Sequence, residues 1–135
     1  MPTRRNERLE IRASVDVVRV RQLTRALALE SGLGLVDQTK IITAASELAR
    51  NTLEYGGGGH VSLELVEQGG RRGLRLTFED QGPGISDVET ALKDGFTTGK
   101  GLGLGLGGAK RLSNEFNIAS KPGQGTKVMI ARWKS

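Results

Sequence analysis

A glycine-rich run near the C-terminal third of the chain constrains its fold and chemistry more than any other feature. Between residues 95 and 112 the sequence reads GFTTGKGLGLGLGGAKRL, in which glycines alternate with leucines before a helix-like segment. Glycine lacks a Cβ, so its backbone adopts positive φ and approaches a ligand closely. Successive N–H groups then converge on an anion, and the start of the following helix adds a positive dipole. The run predicts an anion site of the kind that most often holds phosphate.

Two common phosphate motifs do not account for this run. The spacing of Gly103, Gly105 and Gly108 matches the dinucleotide-binding fingerprint. That fingerprint normally follows a strand, and an acidic residue about 20 positions later binds the ribose. Here the glycines follow a polar loop, and no Asp or Glu occurs after Glu115. The Walker pattern fails because Lys100 is followed by glycine instead of Ser or Thr. A flexible linker stays open as an alternative, although regular leucines are unusual in linkers.

Length and composition indicate one globular domain covering residues 1–135. The chain has no cysteine and a single histidine, which excludes a disulfide framework and a multi-histidine zinc site. Its apolar runs are shorter than a membrane span, and the N-terminus lacks the apolar core of a signal peptide. We therefore expect a cytoplasmic protein without a membrane partner.

The net charge of +5 and the pI near 10.0 favour an anionic partner. The positive charges are dispersed along the chain, and aromatic residues make up only 4% of it, too few for a base-stacking platform. We therefore expect no nucleic-acid partner. An anionic cofactor or an acidic protein suits this surface better.

The periodicity of apolar residues predicts an alternation of helices and strands. Ser14 is the expected N-cap of the first helix and Asp37 that of the second. The predicted strands cover residues 8–12, 60–66, 74–78, a short piece around 118, and 126–133; the predicted helices cover 14–31, 37–55, 88–92 and 109–116. This order indicates an α+β fold, a two-layer α/β sandwich with a mixed, mostly antiparallel sheet and helices on one face.

A first chemical motif lies on the second predicted helix. Glu47 and Asn51 are four residues apart and so project from the same helix face. The amide oxygen of Asn51 suits Mg²⁺, which keeps several waters and bridges phosphates. A carboxylate one turn away is placed to accept a hydroxyl proton. An ordinary solvated helix face is the alternative interpretation.

A second motif, DQGPG at residues 80–84, follows a predicted strand. The carboxylate of Asp80 is able to accept the exocyclic amino proton of adenine, and Gly82 leaves room for a flat base. A plain turn is the alternative, because these residue types dominate turns.

Taken in order, the motifs resemble one superfamily. ExxxN at 47–51, DxGxG at 80–84 and GxGxG at 101–105 are similar to the N, G1 and G2 boxes of the GHKL ATPases and kinases, which share the Bergerat fold. GxGT at 123–126 is similar to the closing motif of that superfamily. The short chain lacks room for the extra domains of gyrase-, chaperone- and mismatch-repair-type members. It resembles the small bacterial serine kinases that act on anti-sigma-factor antagonists, the stressosome switch kinases above all.

The resemblance implies ATP and Mg²⁺ as cofactors and a role for each motif residue. It makes Glu47 the general base, Asn51 the Mg²⁺ ligand and Asp80 the adenine ligand. The remaining implied nucleotide-binding residues are Gly82 and Gly84 at the base pocket, Lys100, Gly101, Gly103 and Gly105 at the triphosphate, and Thr126 near the adenine. An ATP lid is implied at about residues 86–104.

The resemblance also implies a function. The expected enzyme is a serine/threonine-protein kinase that phosphorylates STAS-domain antagonist or scaffold proteins of a stress-signalling complex that regulates a sigma factor. When released, it is expected to bind and activate a PP2C-type phosphatase. Two alternatives stay open: an anti-sigma factor with serine kinase activity, and a catalytically weak module whose binding depends on nucleotide.

Overall fold

The computed structural model describes residues 3–92 and 105–135. Within them, five strands and four helices follow one another along the chain. They are β1 (Thr3–Ile11), α1 (Ser14–Glu30), α2 (Leu35–Glu54), β2 (Gly59–Gln68), β3 (Arg71–Asp80), α3 (Val88–Ala91), α4 (Leu106–Arg111), β4 (Glu115–Ser120) and β5 (Thr126–Trp133). The α+β class is confirmed. None of the helices in the described ranges combines the length and apolar character needed to cross a membrane.

The five strands form one sheet in the order β1-β2-β3-β5-β4. Every neighbouring pair in this described sheet is antiparallel, so the expected parallel component is absent from it. β3 and β4 run in the same direction, because both are antiparallel to β5. They do not pair, because β5 lies between them. The last strand of the chain thereby occupies an interior position in the sheet.

One face of the sheet is buried beneath α1 and α2. On β3, Leu76 and Phe78 point into this core, together with apolar side chains from both helices. Arg75 lies on the opposite face, where its guanidinium donates two hydrogen bonds to the carboxylate of Glu64 on β2, at 2.9 and 3.0 Å. Because side chains alternate along a strand, this pattern gives two layers, with the helices covering one face.

The start of α1 differs from the prediction. Ala13 is the N-cap and Ser14 is the first helical residue. The carboxylate of Asp16 accepts hydrogen bonds from the backbone N–H groups of Arg12 and Ala13, at 2.9 and 3.0 Å. A carboxylate in the first turn thus replaces the predicted serine hydroxyl in satisfying free N–H groups.

The predicted capping role of Asp37 is also wrong. The N-cap of α2 is Gly34, and Asp37 is buried in the first turn. Its carboxylate lies 2.8 Å from the guanidinium of Arg132 on β5 and accepts a hydrogen bond of 2.8 Å from the Ser135 hydroxyl. Burial alone would raise the pKa of Asp37, but the hydrogen bonds from Ser135 and Arg132 and the charge of Arg132 hold it below its ordinary value.

The helix predicted over residues 109–116 lies earlier in the chain, at Leu106–Arg111. Glu115 and Phe116 belong to β4 instead. Asn114 ends the helical path, because its backbone N–H donates to the Ala131 carbonyl at 2.8 Å and its side-chain oxygen accepts from Trp133 N at 2.7 Å. Pairing with β5 therefore determines where α4 stops.

Candidate active site

Three predicted site residues from separate elements line one cavity. Asn51 comes from α2, Asp80 from the end of β3 and Thr126 from the start of β5. Asp80 and Thr126 are direct partners in the ladder between β3 and β5, so the sheet order itself brings them together. The rest of the wall is mainly apolar, and the cavity volume is about 20 Å³. The other lining residues are Leu48, Thr52, Tyr55, Phe78, Ile85, Leu106 and Val128.

Asp80 is a buried carboxylate at the end of this cavity. Burial raises its pKa above the ordinary value, and hydrogen bonds from the backbone N–H groups of Gly82 and Thr126 offset part of that effect. The bond from Gly82 N to Asp80 Oδ1 measures 2.9 Å. A carboxylate kept in such a place at an energetic cost is typical of a functional site.

Glycines surround Asp80 because other residues would not fit. A Cβ on Gly56 would lie 2.4 Å from the carboxylate carbon of Asp80, and one on Gly82 would lie 2.7 Å from Gly56 Cα. A Cβ on Gly125 would lie 2.1 Å from the Asp80 carbonyl oxygen. The prediction assigned Gly82 but missed Gly56. The sequence feature that could have indicated Gly56 is the run of glycines at 56–59, which is longer than a helix C-cap requires.

Two further residues that the motifs did not indicate hold the loop after Asp80. The Tyr55 hydroxyl donates to the carbonyl of Gly84 at 2.8 Å, which ties the loop to the end of α2. The Ser120 hydroxyl accepts from Ile85 N at 2.8 Å and donates to Gly125 O at 2.9 Å. Only long-range contacts reveal these residues, because neither lies in a recognisable motif.

Glu47 lies beside the cavity and faces the start of α4. Its side chain is 42% exposed, and Oε1 accepts a hydrogen bond of 3.2 Å from Arg50 on the same helix. Gly105, the N-cap of α4, has φ of 65°. A Cβ built on it would lie 2.9 Å from Glu47 Oε2. The end of the glycine run therefore packs against a carboxylate that solvent still reaches.

The other predicted phosphate residues, Lys100, Gly101 and Gly103, lie outside the described residues, as does most of the predicted lid. The described part of the lid contains the single turn of α3, which Asp87 caps by accepting from Thr90 N at 3.1 Å. Within residues 3–92 and 105–135, no three His, Asp or Glu side chains gather in a way that would hold a metal ion. The amide of Asn51 lines the described cavity, together with other oxygen-bearing side chains such as Asp80 and Thr126.

Comparison with known proteins identifies the family. Residues 36–134 match the family described as histidine kinase-, DNA gyrase B-, and HSP90-like ATPase. The chain belongs to this ATPase family. The matched range contains Asp80, its surrounding glycines and the whole of β5, and the GHKL resemblance of the motifs is confirmed.

Among curated proteins, this family member is similar to the serine/threonine-protein kinase RsbT of Bacillus subtilis (strain 168). The two are 49% identical over 118 residues, which cover 87% of this chain and 89% of the relative. It is also 32% identical to the anti-sigma F factor of Anoxybacillus flavithermus over 105 residues, which cover 73% of this chain and 70% of that protein. The relationship to RsbT places the chain in the serine/threonine-protein kinase class and confirms the predicted resemblance to small bacterial serine kinases.

Solved structures support the fold of this ATPase family. The RsbU and RsbW domains of Rv1364c from Mycobacterium tuberculosis match 97% of this chain with a TM-score of 0.68 and 21% identity. Full-length ShkA in complex with AMPPNP matches 93% of it with a TM-score of 0.57 and 20% identity. The chain spans about a third of each of these larger structures, 33% and 31%. They show a shared fold.

Proposed function

We propose that this chain is an ATP- and Mg²⁺-dependent kinase that phosphorylates serine or threonine in STAS-domain proteins of a stressosome-type signalling complex. We further propose that the released kinase binds and activates a PP2C-type phosphatase. One observation carries the catalytic part: α2 carries an accessible carboxylate, Glu47, one turn before Asn51, which lines the cavity that contains the buried Asp80. Helix α2 thereby carries both the proposed proton acceptor and a residue of the proposed nucleotide site.

The surroundings of Asp80 fit an adenine base. Its carboxylate is an acceptor in the ionised form, and the exocyclic amino group of adenine is a donor. The apolar side chains of Leu48 and Val128 suit the ring faces. The cavity of about 20 Å³ is smaller than the roughly 300 Å³ of typical ligand pockets. Lining side chains such as Ile85 and Leu106 must therefore move apart to admit the base.

The amide of Asn51 is proposed as the protein's contact with Mg²⁺, since an oxygen donor at the cavity wall suits a cation that keeps most of its waters. Mg²⁺ held there would supply charge neutralisation at the phosphate oxygens. Lys100, Gly101, Gly103 and Gly105 are proposed to hold the triphosphate. Gly105 is supported by its positive φ and its position at the N-terminus of α4. The other three assignments rest on the motif resemblance.

Glu47 is proposed to take the proton of the substrate hydroxyl. Its carboxylate is open to an incoming side chain, since 42% of it is exposed. The hydrogen bond from Arg50 to Oε1 orients the group and leaves Oε2 towards Gly105. In phosphoryl transfer the protein contributes mainly positioning and electrostatics, so a well-placed acceptor of this kind is sufficient for a base.

The similarity to RsbT supports the choice of substrates and partners, and the net charge of +5 favours acidic proteins. The similarity to anti-sigma F factors favours a second candidate function, in which the kinase sequesters a sigma factor. Direct binding to a purified sigma subunit separates the two.

The proposed function is tested by single-turnover transfer from labelled ATP to the STAS-domain proteins encoded in the same genome. The wild-type chain should label serine or threonine, and Glu47→Gln should slow transfer by about 10²–10⁴-fold while binding ATP normally. Asn51→Ala should weaken both Mg²⁺-dependent ATP binding and transfer. Glu54→Gln, at an exposed position of the same helix, is the matched control and should have no effect.

Three results would change the assignment. Full transfer by Glu47→Gln would remove the base role of this residue. A wild-type chain that binds a sigma subunit in preference to STAS proteins would be an anti-sigma factor. If no STAS protein is labelled but partner binding depends on ATP, the chain is a nucleotide-dependent binding module.

A further inference from the structure

The end of β3 opposite Asp80 carries a second surface that the proposed kinase reaction does not use. β3 begins there at Arg71 and ends at Asp80 after 10 residues. At about 3.3 Å per residue, the two ends of this strand are roughly 30 Å apart. The turn between α1 and α2 and the end of β5 lie at the same end of the molecule as Arg71.

Apolar side chains are exposed at this end. Leu29, Leu35 and Val36 are 59%, 77% and 66% exposed, and they flank the turn between α1 and α2. In the described part of the chain, only Val15 and Val18 are other large hydrophobic residues with comparable exposure. Large apolar side chains clustered on a surface are typical of interaction sites.

Basic side chains surround a cavity next to these apolar residues. The cavity has a volume of about 650 Å³ and is lined by Arg71, Arg72 and Lys134 together with small residues. No Asp or Glu side chain is among the described residues that line it. Gly32, in the turn between α1 and α2, links the two features, because a Cβ built on it would lie 3.7 Å from Lys134 Nζ.

The local backbone and a buried tryptophan hold Arg71 in place. Gly69 and Gly70 have φ of 58° and 79°, so the hairpin before Arg71 is a tight two-residue turn. The guanidinium of Arg71 lies 5.6 Å from the centroid of the Trp133 ring. Trp133 is itself fixed, since its Nε1 donates to Glu115 at 2.6 Å. A guanidinium stacked on a ring keeps its N–H edges available for a carboxylate.

Acidic groups near the cavity leave an excess of positive charge. Glu30 is paired with Arg5, and Asp37 is buried against Arg132. Glu67 lies opposite Arg72 across the hairpin. The described side chains that line the cavity are cationic or small, so the site favours an anionic partner.

We propose that Leu29, Leu35, Val36, Arg71, Arg72 and Lys134, here called the distal surface, bind an acidic amphipathic segment of a partner protein. Apolar side chains of the segment cover the leucines and Val36, and its carboxylates enter the basic cavity. A second copy of this chain would bring like charges together. A lipid bilayer is flat and would leave the cavity unfilled. Since the surface is roughly 30 Å from Asp80, the kinase binds this partner while its nucleotide site stays accessible.

The test uses the full chain with labelled Leu and Val methyl groups and a synthetic helical peptide. The peptide has leucines along one face and glutamates on both flanks. Its addition should shift the methyl signals of Leu29, Leu35 and Val36 but not those of Leu106 and Val128. A peptide with lysines in place of the glutamates should not bind. Affinity should fall as ionic strength rises.

Variants distinguish the charged and apolar contributions. Arg72→Gln/Lys134→Gln should weaken peptide binding about tenfold. Arg8→Gln/Arg12→Gln, which removes two exposed cations elsewhere, should leave binding unchanged. Leu35→Gln/Val36→Gln should weaken peptide binding through loss of the apolar contact, since the net charge of the protein is unchanged. All three variants should bind ATP like the wild type, so failure here is separate from failure of the proposed kinase function.

Several outcomes would overturn the proposal. The proposal fails if the acidic peptide leaves the methyl signals of Leu29, Leu35 and Val36 unchanged, or if the two double-charge variants weaken binding equally. Flotation with phosphatidylserine vesicles, lost on Arg72→Gln/Lys134→Gln, would assign the surface to membranes instead. A concentration-dependent dimer in sedimentation that Leu35→Gln/Val36→Gln abolishes would assign it to self-association.

Discussion

Arg132 of β5 and Asp37 of α2 form an ion pair inside the molecule, with 2.8 Å between the guanidinium and the carboxylate and side chains only 12% and 8% exposed. Arg132 also donates to the carbonyl of Leu112 at the end of α4, at 3.1 Å. One guanidinium thus ties together the helix that carries Glu47, an interior strand and the helix that follows the glycine run.

Asp37→Asn should destabilise the protein by roughly 3–5 kcal/mol, because it leaves the charge of Arg132 buried without its counter-ion. The pKa of Asp37 is lowered in the folded state. Its stabilising effect is therefore present above the pKa of the unfolded chain and is lost as pH falls through the lower folded value. Urea unfolding across pH measures both effects. Glu7→Gln, which breaks an exposed pair with Arg5, is the control and should cost at most about 1 kcal/mol.

Asp80→Asn should weaken ATP binding by about 1–3 kcal/mol, since an amide donor would face the adenine amino group. The same change should stabilise the free protein at neutral pH. The pKa of Asp80 is raised by burial, so the cost of its ionisation grows as pH rises through that raised value and is absent in acid. Calorimetry and thermal unfolding at several pH values check the two signs. Unchanged ATP affinity would refute the adenine assignment.

Gly56→Ala should weaken nucleotide binding and cost about 1–3 kcal/mol of stability. The new Cβ would lie 2.4 Å from the carboxylate carbon of Asp80, so the carboxylate has to move. Gly34→Ala is a matched control, because nothing lies within 4 Å of its Cβ position. A nucleotide titration of both variants gives the comparison, and equal affinities would show that the close approach at Gly56 is unimportant.

Gly105→Ala should reduce both ATP affinity and phosphoryl transfer, because Gly105 is proposed to hold the triphosphate and lies against Glu47. Its φ of 65° costs a non-glycine residue about 1–2 kcal/mol, and the added Cβ would lie 2.9 Å from Glu47 Oε2. Gly108→Ala, in the same helix and with no atom nearer than 4.0 Å, should retain transfer. Single-turnover rates of the two variants decide the matter. If they fall together, helix α4 as a whole matters and the contact with Glu47 does not.

Thr24→Val should stabilise the protein by about 1 kcal/mol. The Thr24 hydroxyl is completely buried on α1 and has no hydrogen-bond partner. An isosteric methyl group removes the cost of burying that hydroxyl. Chemical denaturation provides the measurement, with Thr39→Val as the control at an exposed position of α2. A loss of stability in Thr24→Val would mean that the hydroxyl makes a contact on which the fold depends.

Local sequence patterns correctly predicted strands and helix faces whose formation depends on residues close together in the chain. The final strand is found at Thr126–Trp133 as its alternation indicated, and the apolar stripe of α2, with Ile41 and Leu48, is buried as expected. Motif spacing also identified Asn51, Asp80 and Thr126, which the fold does bring together. Their roles, and that of Glu47, are predictions that the variants above test.

Contacts between residues far apart in the chain were not predicted from the sequence. The partner of Asp37 is Arg132, 95 positions away, so a first-turn acid was naturally interpreted as a cap. The bond from Tyr55 to Gly84 spans 29 positions and belongs to no motif. The described sheet has no parallel pair because β5 lies between β3 and β4. The alternation of apolar residues within a strand does not indicate which strands are neighbours.

The interior position of β5 has a consequence for the order of events during synthesis. Asp80 and Thr126 are ladder partners, so the proposed nucleotide site lacks one wall until the ribosome has released β5. Before then β3 is able to pair with β2 along one edge. Its other edge, which β5 covers in the folded sheet, is still unpaired. We therefore expect that a nascent chain without β5 does not bind ATP at the proposed site.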